Sequence, residues 1–308
     1  MRFRMRQGVG KHYMMLAGEW AAIRPGDTVQ CEPWQLQSVA HKFDALDPIP
    51  PEPAPKHVIA SRESSPGEWD ILHGATGRPI NDVPLAEHGA FQATGGSDED
   101  RFWTVPKMWP GNTCYILGGG PSLKSIDVNR LRGSRVIAVN NAYQLADWID
   151  VLFFGDHRWF WAHRNKFADF GGLKVTRNEG HAKWPGVLAA NYVGDPYGIS
   201  TDPSVLRWNR SSGACAIDLA AHFGVKRIIL LGFDMRMIGK RHNWHQDHTE
   251  TRSAALYREF MTVFPAIKAD LDTLGIECIN ATPGSSLTVF PVAHPDEVLP
   301  ERGEDNGT

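Results

Sequence analysis

From Trp109 onward the chain alternates between two kinds of pattern. "TCYILGG", "SRVIAVN", "DVLFFGD", "LKVTRN", "VLAANYV", "RIILLGFD" and "IECINAT" are short apolar or β-branched runs closed by turn residues. Between several of them lie segments with helical spacing: "PSLKSIDVNRLRG", "HRWFWAHRNKFADF", "SGACAIDLAAHFG" and "ETRSAALYREFMTVFPAIKADLDTLG". Strands that are apolar on both sides and alternate with helices predict a mostly parallel sheet covered on both faces. The expected fold class over 109–300 is therefore α/β, a doubly wound domain.

The earlier part of the chain reads differently. In residues 1–45, "RFRMRQGV" alternates, Pro25-Gly26-Asp27 forms a turn before a short strand, and "PWQLQSVAHKF" has the spacing of one or two helical turns. So few residues support only a small core, and a β-rich unit made for attachment to a neighbour is expected. Five prolines then fall between Pro48 and Pro55, followed by a Gly-, Ser- and Asp-rich stretch ending in "SDED". Residues 46–108 accordingly read as a linker, or as an arm ordered only against a partner.

Composition adds limits rather than a function. With 308 residues and 42% hydrophobic content the chain can bury a substantial core. A formal net charge of −3 gives no basic footprint, so neither nucleic acid nor a membrane surface is expected as a partner. The four cysteines are dispersed, which suits buried thiols better than a disulfide framework or a zinc site. No apolar run reads as a signal peptide or a membrane span, so a soluble intracellular protein is expected.

The candidate chemistry begins at "CYILGGGPSLKSID". At the end of a first strand, Gly118, Gly119 and Gly120 permit close approach of backbone to a ligand, while Pro121 suits a first helical turn and Ser122 a cap. Helix starts at such corners present unpaired N–H groups to phosphate. The spacing matches neither G-x-G-x-x-G nor the P-loop. Asn140 and Asn141 end the second strand, and Asp156 and His157 the third, at what should be the same edge. Ser211, Ser212 and Gly213 repeat the corner geometry before an amphipathic helix, and the next strand closes with Gly232 and Asp234. Downstream, "KRHNWHQDH" holds His242, His245, Asp247 and His248, open to three readings: a general base or ligand contact, a zinc ligand set, or a solvent-facing loop.

As a set, "YILGGGPSLKSIDVNRL", "VNNAY", "SSGACAIDLAAHFGVKRIILLGFD" and "INATPGSSLTVF" resemble the bacterial CMP-sialic-acid-dependent sialyltransferases of the variant Rossmann-like type. They resemble equally a group related to archaeal 6-hydroxymethylpterin diphosphokinase. The first resemblance implies that Gly119, Gly120, Pro121, Ser122, Asn140, Ser211, Ser212 and Gly213 bind a nucleotide or nucleotide-sugar of CMP or UDP type. It implies a metal-independent glycosyltransferase-like activity in which His248, with His245 beside it, is the base toward a hydroxyl acceptor. The family's Gly-Asn-Gly corner has Gly119 in place of its Asn here, and its paired tyrosines find only Tyr192 and Tyr197 as nearby matches. The second resemblance implies Mg²⁺-dependent diphosphokinase chemistry, with Asp156 and Asp234 as ligands. Residues 1–45 look like small N-terminal units of tailed-phage structural proteins. That similarity implies a phage-encoded chain in host cytoplasm or virion, with particle proteins as partners of residues 1–105. An inactive virion or assembly protein is the alternative.

Overall fold

A computed structural model of the 308-residue chain describes residues 1–16, 19–31, 42–47, 60–86, 102–177, 184, 186–239, 243–245 and 254–301. The chain divides into two compact units, Met1–Ala54 and Pro55–Thr308.

In the smaller unit β1 (Arg2–Met5) is the centre of a three-stranded antiparallel sheet. It lies between β4 (Thr28–Gln30) and β5 (Phe43–Ala45), while β2 (His12–Leu16) and β3 (Glu19–Ile23) form a separate hairpin. The alternation of "RFRM" puts Phe3 and Met5 inward against Val29, Cys31 and Phe43. The turn at Pro25-Gly26-Asp27 forms as expected, with Gly26 at φ +90° and the Asp27 carboxylate accepting the Arg24 N–H at 2.8 Å. The helix expected within "PWQLQSVAHKF" falls mostly outside the described residues, and its last residue, Phe43, opens β5.

The larger unit begins with an antiparallel hairpin, β6 (Ala60–Ser65) and β7 (Glu68–Leu72). Of the stretch 46–108 read as linker or arm, residues 60–86 and 102–108 are described within this unit. Ile71, Ile80, Leu85, Trp103, Val105 and Met108 are buried in the same apolar cluster as the central sheet. The Trp109 indole N–H donates to the Ile80 carbonyl at 2.7 Å. The Arg78 and Arg135 guanidiniums meet the fully buried Asp150 carboxylate, which also accepts the Val136 N–H at 2.9 Å. Isolated hydrophobes spaced among turn residues carry no period, so their burial was not visible in the pattern.

Seven parallel strands form the central sheet: β8 (Thr113–Leu117), β9 (Arg135–Val139), β10 (Val151–Phe154), β11 (Leu173–Thr176), β12 (Val187–Ala189), β15 (Arg227–Leu231) and β16 (Glu277–Asn280). Their order is β12-β11-β10-β9-β8-β15-β16. Six of the seven strands feed two cores, as their alternation requires, while β11 gives Leu173 and Val175 to one and turns the buried Lys174 and Thr176 to the other side. Cys114 and Ile116 face one cluster with α2 (Ser212–His222) and α4 (Phe264–Thr273), while Tyr115 and Leu117 face the other with α1 (His157–His163). This is the expected Rossmann-like α/β architecture. All four cysteines are buried and free.

Three local expectations differ from what forms. "PSLKSIDVNRLRG" yields two short 3-10 turns, Pro121–Ser125 and Val128–Leu131. Between them Asp127 is extended and its side chain caps the second turn, accepting the Asn129 N–H, a role that competes with helix interior. The long C-terminal helix is α3 (Ala254–Met261) followed by α4, with Pro265 in the first turn of α4, where its missing N–H costs nothing. "VLAANYV" splits between β12 and β13 (Asn191–Val193), the latter pairing with β14 (Val205–Arg207) in a separate two-stranded ribbon. α5 (Pro295–Val298) closes the described chain. Among the described residues, no helix is long and apolar enough to cross a membrane.

Candidate functional site

The strand order reverses between β8 and β15, and the carboxyl ends of these strands open onto a cleft of about 430 Å³. In open parallel sheets, ligands sit at such a reversal. The cleft joins residues far apart in sequence: Gly118–Gly120 after β8, Asn140 after β9, Ser211–Gly213 at the start of α2, and His245. Its volume falls within the range of small-molecule sites, about 300–1,000 Å³.

Its walls hold unusual backbone. Asn140 (φ 52°), Arg210 (φ 57°) and Met235 (φ 50°) are the non-glycine residues with positive φ among the described residues, and all three line this cleft. Left-handed backbone at non-glycine positions is costly and collects at functional sites. Asn140 ends β9 in this conformation, with its side-chain Oδ1 buried and without a hydrogen-bond partner among the described residues. Arg210 is the central residue of a tight turn in which Ser211 N–H donates to the Asn209 carbonyl at 2.6 Å. Met235 follows the turn after β15, which the "INATPGSS" stretch braces. Phe233 N–H donates to Thr282 Oγ1 at 2.9 Å and Ser286 N–H to the Asp234 carbonyl at 2.9 Å.

The two helix starts are not alike. At α2, Ser211 is the N-cap and its Oγ accepts the Ala214 N–H at 3.2 Å, which leaves the Ser212 and Gly213 N–H groups without intrahelical acceptors. Both residues line the cleft. At the glycine corner the anion position is filled from within. Ser122 Oγ donates to Asp234 Oδ2 at 2.8 Å, and Ser122 N–H donates to Oδ1 at 3.3 Å. Pro121 and Ser122 therefore do not line the cleft, and a 3-10 turn of five residues replaces the expected helix. Gly120 is glycine because of this neighbour: a Cβ there would lie 1.7 Å from Asp234 Oδ2 and 2.6 Å from the Gly232 carbonyl oxygen. Burial raises the Asp234 carboxyl above its ordinary range, against the opposing pull of the two Ser122 hydrogen bonds.

Other expected residues are placed as follows. Asn141 turns inward, accepting the Trp159 indole N–H at 2.5 Å and meeting His163 Nε2 at 3.3 Å. Asp156 and His157 line the cleft, where Asp156 caps α1 by accepting the Trp159 N–H at 2.8 Å. Asp156 and Asp234, the Mg²⁺ ligands of the diphosphokinase reading, are thus each committed to a hydrogen bond of the fold. Among the described residues there is no group of three or more His, Cys, Asp or Glu arranged to hold a metal. His245 lines the cleft, edge-to-face with Trp244. His242, Asp247 and His248 lie outside the described residues.

Sequence reading missed Arg177, which follows β11, and the aromatic pair beside it. The Arg177 guanidinium lies 4.6 Å from the Trp208 ring centroid and 5.4 Å from that of Tyr192. Its position directly after an apolar strand was the available signal, since the same rule had singled out Asn140 and Asp156. Tyr257 and Phe260 of α3 also line the cleft, on a helix chosen for its core spacing alone.

No family model matches the chain, and no curated protein matches it. Among solved structures the chain is similar to the sialyltransferase CstII from Campylobacter jejuni, in complex with a substrate analogue, cytidine-5'-monophosphate. The TM-score is 0.41 and the identity 16%, over 65% of this chain and 92% of that one.

Proposed function

We propose that the cleft binds a nucleotide and that the protein transfers a sugar from a nucleotide donor to a hydroxyl acceptor. The observation that carries this reading is convergence. The glycine corner, Asn140 and Ser211–Gly213, which the sequence resemblance assigned to one nucleotide, meet in one cleft at the strand reversal, together with three strained backbone positions.

In this reading the acceptor oxygen attacks the anomeric carbon as the bond from that carbon to the phosphate oxygen breaks. The departing oxygen keeps the electron pair, which the N–H groups of Ser212 and Gly213 and the positive end of α2 stabilise. The acceptor proton passes to a histidine. His245 lines the cleft, and His248 remains the base assigned from resemblance. Donors of CMP and UDP type fit the reading, and no step in it calls for a metal.

Isothermal titration calorimetry with CMP, UDP and GDP tests it. Binding of at least one of them at sub-millimolar concentration is expected. No heat from any of the three at millimolar concentration would remove the reading. Hydrolysis or transfer of a matching nucleotide-sugar, lost in His245→Ala, would extend it from binding to catalysis. An unaltered rate in that variant would leave His248 as the base.

A further inference from the structure

The charged side chains lining the cleft differ in what they face. Asp234 is held by Ser122, and Asp156 by the Trp159 N–H. Arg210 is ion-paired with Glu259, with its guanidinium over the Tyr197 ring at 5.0 Å. Arg177 is the exception. Among the described residues it has no carboxylate partner, and its Nε is shielded from solvent with no acceptor.

Its position is nonetheless built. The ribbon β13–β14 carries Tyr192 and leads into Trp208, whose N–H donates to the Val193 carbonyl at 2.8 Å. This brings the two rings together at 6.2 Å, edge to face, beside the guanidinium. On another side, a Cβ on Gly155 would stand 2.8 Å from Arg177 Nε, so glycine at the end of β10 leaves the space that the guanidinium occupies. Rings near a guanidinium attract its charge while leaving its edge N–H groups to recognise a planar or tetrahedral anion.

The cleft is therefore electrically polar. A carboxylate stands at the glycine corner, on Asp234, while an unneutralised guanidinium and the open start of α2 belong to the same cleft. We propose that Arg177 and the first N–H groups of α2 form an anion subsite that takes a phosphate group of the ligand. This rests on the nucleotide reading above and deepens it. The phosphate lies away from Ser122, and the glycine corner and Asn140 are left to the uncharged nucleoside.

Calorimetry on the full chain tests the subsite with three probes: inorganic pyrophosphate, CMP and cytidine. The wild-type protein should bind pyrophosphate and CMP, and cytidine more weakly than CMP. Replacing Arg177→Gln should weaken pyrophosphate and CMP by about 10- to 100-fold, the scale of a charge-assisted hydrogen-bonded pair, and leave cytidine unchanged. Arg177→Lys, which keeps the charge without the fork, should fall between the two, and it carries the test alone if the Gln variant does not fold. CMP binding that is equally tight in wild type and both variants overturns the subsite while the nucleotide reading stands. Arg177-dependent pyrophosphate binding, with CMP, UDP and GDP no tighter than pyrophosphate, upholds the subsite and removes the nucleotide reading. A wild-type protein that binds neither pyrophosphate nor CMP overturns the subsite, and one that fails to bind UDP and GDP as well overturns the nucleotide reading with it.

Discussion

Replacing Gly120 with alanine separates two explanations of the glycine corner. If glycine is there to let a ligand approach, Gly120→Ala should spare stability and damage binding. The structure gives a different outcome. The added methyl would stand 1.7 Å from Asp234 Oδ2 and 2.6 Å from the Gly232 carbonyl oxygen, so the carboxylate must leave its place. Ser122 is 8% exposed and would lose the acceptor for both its hydroxyl and its N–H. A buried donor left unsatisfied costs about 1–3 kcal/mol, and forcing atoms into a packed site costs about 1–3 kcal/mol more. A loss of about 2–5 kcal/mol is therefore expected, read from urea unfolding followed by circular dichroism. The pair should also be non-additive: in the Asp234→Ala background the same substitution should cost at least about 1 kcal/mol less, because the carboxylate it displaces is already gone. A Gly120→Ala protein whose stability stays within about 0.5 kcal/mol of wild type would refute this account, since surface changes commonly fall in that range.

Two further outcomes follow from the larger unit. Ile80→Ala should lower stability by about 2–5 kcal/mol in the same urea assay, the usual cost of truncating a fully buried isoleucine, whereas a residue in a linker would change it little. Burial raises the Asp150 carboxyl to about 6, against the opposing pull of Arg78 and Arg135. Because that value lies above the ordinary carboxyl range near 3.8, this group's contribution to stability is fully present below about pH 4 and lost as pH rises through about 6. Asp150→Asn should flatten that part of the pH–stability curve, and an identical slope in both proteins between pH 4 and 7 would contradict it.

Much of the site was legible because strand ends announce themselves. An apolar run that stops at Gly118, Asn140, Gly155-Asp156 or Gly232 marks a carboxyl edge, and parallel pairing places all such edges on one side. What escaped was the use to which each edge residue is put. Asn140 and Asn141 are adjacent, chemically identical and both at the cleft, yet the Asn140 Oδ1 has no partner among the described residues while the Asn141 amide is locked to Trp159 and His163. Ser122 and Ser212 occupy equivalent places in the sequence pattern. A carboxylate 112 residues away closes the first, and among the described residues no carboxylate caps the second. Arg177 escaped for a related reason. A cation after a strand reads as a solvated loop residue until two rings from a distant ribbon are seen beside it.

The sequence by itself determined the parallel α/β sheet and its carboxyl edge. Periodicity is local, and a strand apolar on both sides has few ways to be buried. Only the tertiary structure decided that Ile71, Ile80 and Leu85 belong to the core, that Asp234 fills the glycine corner, and that Arg177 meets no carboxylate among the described residues. Each of these depends on which distant groups meet, and no local pattern in the chain records that.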